Sequence, residues 1–214
     1  MHFEFLVEDK SGKEALEILV PEIIGDKHTY KVFAYKGIGR IPSNMTSSVD
    51  ARNRLLLDNL PQLLNGYGRA WQDCSGVVFM VCDLDNKCLK SFRQELLGIL
   101  SRCNPRPETR FCIAVEEGEA WFLGDISAVK AAYPKAKDDV LNSYENDSIC
   151  GTWEKLADAV YPGGSSELSK KGWQVVGKEK SEWAKNIAPK MNVAKNASPS
   201  FNHFRSKLQE LASQ

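Results

Sequence analysis

The sequence predicts an α/β fold: an open, mostly parallel sheet of about four strands with helices on both faces, followed by a helical C-terminal extension. Three observations predict it. Four apolar runs with strand character lie ahead of Glu116. The stretches between them repeat apolar residues at three- and four-residue spacing, which is helical. Beyond Glu119 only the helical spacing continues. Strands alternating with helices imply βαβ units, whose crossovers bury a parallel sheet on both faces.

Taken in order, His2–Val7 (HFEFLV) is the first strand, rich in aromatic and branched residues and ended by Glu8-Asp9. Ser11-Gly12-Lys13-Glu14 has capping-box spacing and opens an amphipathic helix to about Ile24. Thr29–Tyr35 (TYKVFAY) is the second strand, and Val49–Leu64 the next helix. Val77–Cys82 (VVFMVC) has no polar alternation, as expected of a strand buried on both faces. Cys88–Leu100 is helical again, and Arg110–Val115 (RFCIAV) is the fourth strand. Helices are then expected over Ala120–Tyr133, Thr152–Val160, Glu179–Ile187 and Phe201–Leu211. Pro134, Pro162-Gly163-Gly164 and Pro189 separate them, and the loop-forming Asn196-Ala197-Ser198-Pro199 precedes the last.

A chain of 214 residues, 43% hydrophobic and 26% charged, supports one substantial core with an appended part. The expected division is a catalytic domain over residues 1–150 and a helical extension over 151–214 packed on it. Net charge is zero, but residues 1–150 hold 18 Lys and Arg against 22 Asp and Glu, whereas residues 151–214 hold 10 against 6. A basic extension beside an acidic front suits a polyanionic substrate. Six cysteines occur with no CxxC pair and no histidine at zinc-finger spacing, which indicates neither a zinc cage nor a disulfide framework. No stretch approaches the roughly 20 apolar residues of a membrane span. The start, MHFEFLVEDK, is acidic where a secretory leader would be basic and then apolar, so a cytoplasmic location is expected.

In parallel sheets ligands bind outside the carboxyl ends of the strands. The first strand ends in Glu8-Asp9, the third in Asp83-Leu84-Asp85, and the fourth in Glu116-Glu117-Gly118-Glu119. Alternation along an extended chain sends Asp83 and Asp85 to the same side. Carboxylates gathered on one edge repel unless a cation neutralises them, and oxygen-only ligands select Mg²⁺ or Mn²⁺. Any one such acid is more often a solvated loop residue or a helix cap, and Asp9 is also placed to cap the first helix.

A glutamate ending the first strand, a DxD ending a later parallel strand and the lack of a Walker loop resemble the Toprim domain of topoisomerases, bacterial primases and OLD-family nucleases. Phe5-Leu6-Val7-Glu8, Cys82-Asp83-Leu84-Asp85, Glu119-Ala120-Trp121 and Asn196-Ala197-Ser198-Pro199-Ser200-Phe201 resemble, more closely, a bacterial family of small Toprim-like proteins catalogued as a domain of unknown function. The resemblance implies a metal-dependent nuclease. Asp83 and Asp85 would bind Mg²⁺ or Mn²⁺, Glu8 would act as general base or second-metal ligand, and Glu116 and Glu119 would complete the second position. It also implies a separate ABC- or AAA-type ATPase partner in a bacterial defence system, since this chain has no Walker motif. Toprim domains usually carry glycine after the first glutamate. Asp9 stands there, so it either tolerates the turn or joins the site.

Lys36-Gly37-Ile38-Gly39-Arg40 and the helical Lys178 and Lys180 are candidate contacts to a nucleic-acid backbone, weighed against a plain turn and a solvated face. Trp121, Trp153, Trp173 and Trp183 could stack bases, but packing is the commoner use of tryptophan on amphipathic helices. A homo-oligomer is compatible with the sequence. Two further readings remain: a non-catalytic binding or regulatory subunit, and a haloacid-dehalogenase-type phosphatase. The second is disfavoured because its DxD would follow the first strand.

Overall fold

The computed structural model describes residues 1–42, 54–72, 75–148 and 151–214. The strands are β1 (His2–Val7), β2 (Thr29–Ala34), β3 (Gly76–Asp83) and β4 (Thr109–Ala114), each within two residues of its expected bounds. They form one parallel sheet in the order β2-β1-β3-β4, with Phe5 beside both Val32 and Phe79. The expected α/β open sheet is thus present. The chain leaves β1 towards one edge, forms β2, and returns across β1 to β3. Strand order therefore reverses between β1 and β3, where crevices open in such sheets.

Side-chain alternation gives the sheet two apolar faces. Phe3, Phe5, Val7, Phe79 and Val81 pack with α1 (Lys10–Ile24) and with the C-terminal helices α9 (Trp173–Ile187) and α10 (Pro199–Ala212). Leu6, Val78, Met80 and Cys82 face α2 (Leu56–Ala70) and α3 (Leu89–Ser101). β3 is buried on both faces, which is why its sequence is uniformly apolar. Phe204 of α10 lies 6.2 Å from Phe5, 6.1 Å from Phe79 and 5.1 Å from Trp121, ring centre to ring centre. The last helix therefore seals the same core as the sheet.

Several element bounds differ from expectation. The cap of α1 is Asp9, not Ser11: Asp9 Oδ1 accepts from Gly12 N at 2.8 Å and Oδ2 from the Ser11 hydroxyl at 2.7 Å. α2 begins at Leu56, and residues 49–53 of the expected helix lie outside the described residues. The expected helix Ala120–Tyr133 is two, α4 (Glu119–Leu123) and α5 (Ile126–Ala132). Between them Gly124 lies against the C-terminal segment so closely that a Cβ would come 2.2 Å from Asn196 Oδ1, and Asp125 caps α5 through Ala128 N at 3.0 Å. Two short helices, α6 (Asp138–Asn142) and α8 (Gly164–Ser169), have too few residues to show a period. α7 (Thr152–Val160) has its expected bounds, whereas α9 starts six residues before Glu179.

Among the described residues no helix is long and apolar enough to cross a membrane. Cys82, Cys103 and Cys112 are buried and Cys88 is exposed, all four as free thiols. Cys74 and Cys150 lie outside the described residues.

A candidate carboxylate site at the strand ends

Val7 pairs with Val81, so the residues that follow β1 and end β3 meet at the point where strand order reverses. Glu8 and Asp83 are those residues. The Asp83 backbone N–H faces Glu8 Oε2 at 3.4 Å. Burial pushes the Glu8 carboxyl up to about 7, with the Asp85 charge as the next cause. Burial also pushes Asp83 well above the usual carboxylate range, and Glu8 adds to it. The Asp83 N–H and the Lys87 charge pull the Glu8 carboxyl down, and Lys180 pulls Asp83 down, but burial outweighs them in both.

Asp9 adopts an extended backbone (φ −143°), which any residue tolerates, so the position does not require glycine. Its carboxylate caps α1 while lining the same cavity as Glu8 and Asp83. This cavity also takes in Gly118, Glu119 and Lys180 and holds about 40 Å³. That is room for an ion or about two to three waters, so a nucleotide would lie across its mouth and not within it.

The far wall is a second charged group. Glu119, at the start of α4, is 2% exposed. Lys180 of α9 places its Nζ 3.0 Å from Glu119 Oε2 and 3.3 Å from Glu117 Oε1. For the buried Glu119 Oε2 the Lys180 ammonium is the partner. Burial holds Glu119 up at about 7 although Lys180 pulls the other way. Burial would lower the Lys180 ammonium, but Glu119, Glu117 and Asp83 outweigh that and hold it above its ordinary value.

Glu116 and Asp85 are placed differently from what strand alternation implies. Both have left-handed backbones, φ 62° and 51°. The turn points Glu116 at the N-terminus of α7, where it accepts from Gly151 N, from Thr152 N at 2.7 Å and from the Thr152 hydroxyl at 2.7 Å. Gly151 has no side chain to cap that helix, so Glu116 does so from another element. Asp85 lies beyond the end of β3, where alternation no longer applies. It is exposed and ion-paired with Lys87 at 2.7 Å, and reaches Glu8 only through its charge.

Among the described residues no group of three or more His, Cys, Asp or Glu side chains converges tightly enough to form a metal cage. The donor set instead suits Mg²⁺ or Mn²⁺ held by one or two carboxylates, with water and substrate phosphate completing the shell. Glu8 and Asp83 fit that description: two acid groups with raised pKa, side by side on a cavity of ionic size.

Lys36, Arg40 and Lys178 are exposed. The Lys36–Arg40 loop lies on the site's edge, Gly37 N donating to Glu8 O at 2.9 Å. Gly39 (φ 71°) is needed for the turn, since a Cβ there would meet Leu55 and Asp58 at 2.7 Å. Lys180 is not on a solvated face: its side chain is 14% exposed. Its signal in the sequence was register. Val176, Trp183, Ala184 and Ile187, at −4, +3, +4 and +7 from it, form the buried stripe of α9, and a lysine on such a stripe needs anionic partners.

A family model described as a domain of unknown function, DUF4276, matches residues 7–209, and the chain belongs to that family. No curated protein and no solved structure matches it.

Proposed function

We propose that this DUF4276 chain is a Toprim-like, Mg²⁺- or Mn²⁺-dependent nuclease that hydrolyses phosphodiester bonds of DNA or RNA. We further propose that it acts as the effector of an ATPase-linked bacterial defence system, beside a separate ABC- or AAA-type ATPase. The observation that carries the reading is the meeting of Glu8 and Asp83 where strand order reverses, above a cavity of ionic size. Asp83 would hold the metal, with Asp85 at the rim, and Glu8 would act as general base or as ligand to a second metal. When bound, the ion would neutralise charge on the phosphoryl oxygens and lower the pKa of a bound water.

Glu8 is steered by the Asp83 N–H, which places its carboxylate to take a proton from an attacking water. Lys180 keeps Glu117 and Glu119 paired, which limits the negative charge that an approaching phosphate would meet at the cavity wall. The small cavity keeps bulk nucleotide out, so only the reacting phosphate approaches the acids.

One observation favours a second reading, a non-catalytic binding subunit of an ATPase complex: among the described residues no three acid groups converge on one point, and Lys180 already pairs with Glu117 and Glu119. The experiment that separates the two is degradation of plasmid DNA and of RNA with Mg²⁺ or Mn²⁺, with the cognate ATPase present. Wild type should cut. Glu8→Gln keeps the size of the side chain but loses its charge and basicity, so it should be folded and slower by about 10² to 10⁴-fold, roughly 3 to 5 kcal/mol in the barrier. A Glu8→Gln protein as fast as wild type leaves the binding reading in place.

A further inference from the structure

Tryptophan is seldom left in water, because burying its ring is favourable. Trp121, Trp153 and Trp183 obey this at 4%, 7% and 1% exposed, but Trp173 is 80% exposed. Its position is nonetheless defined. It is the first residue of α9, after Gly172 at φ 86°, and its ring meets that of buried Trp153 at 6.4 Å and 64°. The backbone N–H of Trp153 in turn donates to Glu117 Oε2 at 3.2 Å, the carboxylate that pairs with Lys180. A short chain of contacts thus ties an exposed indole to the charged wall of the site.

Register gives the same answer. Trp173 and Lys180 are seven residues apart on α9, hence on one face and about 10 Å apart along the axis. A strand that stays stacked advances roughly 3.4 Å per nucleotide, so this span is about three nucleotides. Lys170 and Lys171, both exposed, stand just before Gly172 and the indole; Lys170 pairs with Glu167 and Lys171 donates to the Tyr161 hydroxyl at 2.6 Å, surface contacts that a phosphate can replace.

We propose that Trp173 is a stacking platform for an unpaired nucleobase, and hence that the substrate class delivered to the Glu8–Asp83 site is single-stranded nucleic acid or a frayed end. The inference rests on the nuclease reading and narrows its substrate. In a duplex each base face is covered by its neighbour, so only an unpaired base has a face to offer. An indole accepts any base, because every base has a π-face, and gives affinity without sequence preference. Lys170 and Lys171 would track the phosphates, and the strand would cross the cavity mouth about three nucleotides on.

The test uses the whole chain without divalent ions, so that binding is read apart from cleavage. The probes are thymidine and uridine homo-oligomers and a blunt DNA duplex of equal length. Single strands should quench tryptophan emission saturably in wild type. Trp173→Leu should abolish the quench and weaken single-strand binding by roughly 5- to 150-fold, as for loss of one stacked base. Trp173→Phe should keep most of the affinity, and duplex binding should be the same in all three proteins. Thermal unfolding of Trp173→Leu should match wild type, because the side chain packs on so little. No saturable quench by either oligomer overturns the proposal, as does equal single-strand affinity in Trp173→Leu and wild type. So does Trp173-dependent self-association in sedimentation with no oligomer effect. If the oligomers bind through Trp173 but neither metal nor ATPase elicits cutting, the nuclease reading fails while the platform stands. If cutting occurs and Trp173→Leu binds single strands normally, the platform fails while the nuclease reading stands.

Discussion

Glu8 and Glu119 carry carboxyls raised from 4.5 to about 7, with burial as the largest cause for both. A raised carboxyl pKa means that the folded chain binds the proton more tightly than the unfolded chain. The resulting stability is full below about pH 4.5 and is lost as pH rises through about 7. Denaturant unfolding without metal should therefore show stability falling from about pH 5 to about pH 8. Glu8→Gln cannot ionise, so it should flatten the fall and be the more stable protein at about pH 8, by about 1 to 3 kcal/mol. Wild-type stability that rises across this window would contradict the burial argument. Glu8 and Asp83 were readable from the sequence because parallel strands end on one edge, whatever the packing. Asp85 and Glu116 were not, because a single left-handed residue redirects a side chain and leaves no mark in composition. Lys180, a candidate backbone contact or solvated lysine by composition, is marked as buried only by its register on the apolar stripe of α9.

At the scale of elements, the boundaries that moved did so because of contacts between distant segments. Local spacing read Ala120–Tyr133 as one helix. The close approach of Asn196, 72 residues on, requires glycine at 124 and splits it. The N-terminus of α7 is capped across 36 residues by Glu116, so its start was found from sequence but its cap was not. This cap makes a prediction that separates structure from chemistry. Glu116→Ala removes the acceptor for two backbone N–H groups and a hydroxyl, and losing a helix cap costs about 0.5 to 2 kcal/mol. For a chain of this size that is a fall in Tm of about 1 to 8 °C. Cleavage should change little at temperatures where the variant is folded, because its carboxylate is committed to α7. A Glu116→Ala protein that keeps its Tm but loses cleavage or metal binding would return Glu116 to the metal site, the role the Toprim resemblance implies.

For the molecule as a whole, alternation of strand and helix was enough to predict a parallel sheet covered on both faces. The role of the C-terminal residues was less apparent, since a run of helices says nothing of where it docks. In the structure α9 supplies Lys180 to the carboxylate site, and α10 drives Phe204 onto Phe5 and Phe79 of the two central strands. Site and core therefore share the same elements and should fail together. Phe204 is 0% exposed, and Phe204→Ala should cost about 3 to 5 kcal/mol, a fall in Tm of about 6 to 20 °C. The aromatic and helical circular-dichroism signals should be lost in one coincident transition, since no apolar layer separates extension from sheet. An ion that binds only the folded state adds RT ln(1 + [L]/Kd), about 2.7 kcal/mol at 100 times Kd. Mg²⁺ or Mn²⁺ at that excess should thus raise the single transition of wild type by about 5 to 11 °C, and that of Asp83→Ala, Asp85→Ala far less. The increment should also grow as pH rises past about 7, because the ion then relieves repulsion that the proton no longer does. Equal increments in wild type and the double variant would place any metal away from the strand ends. Two separate transitions, with only the later one moved by metal, would mean that the extension is an independent unit and that Lys180 does not belong to the site.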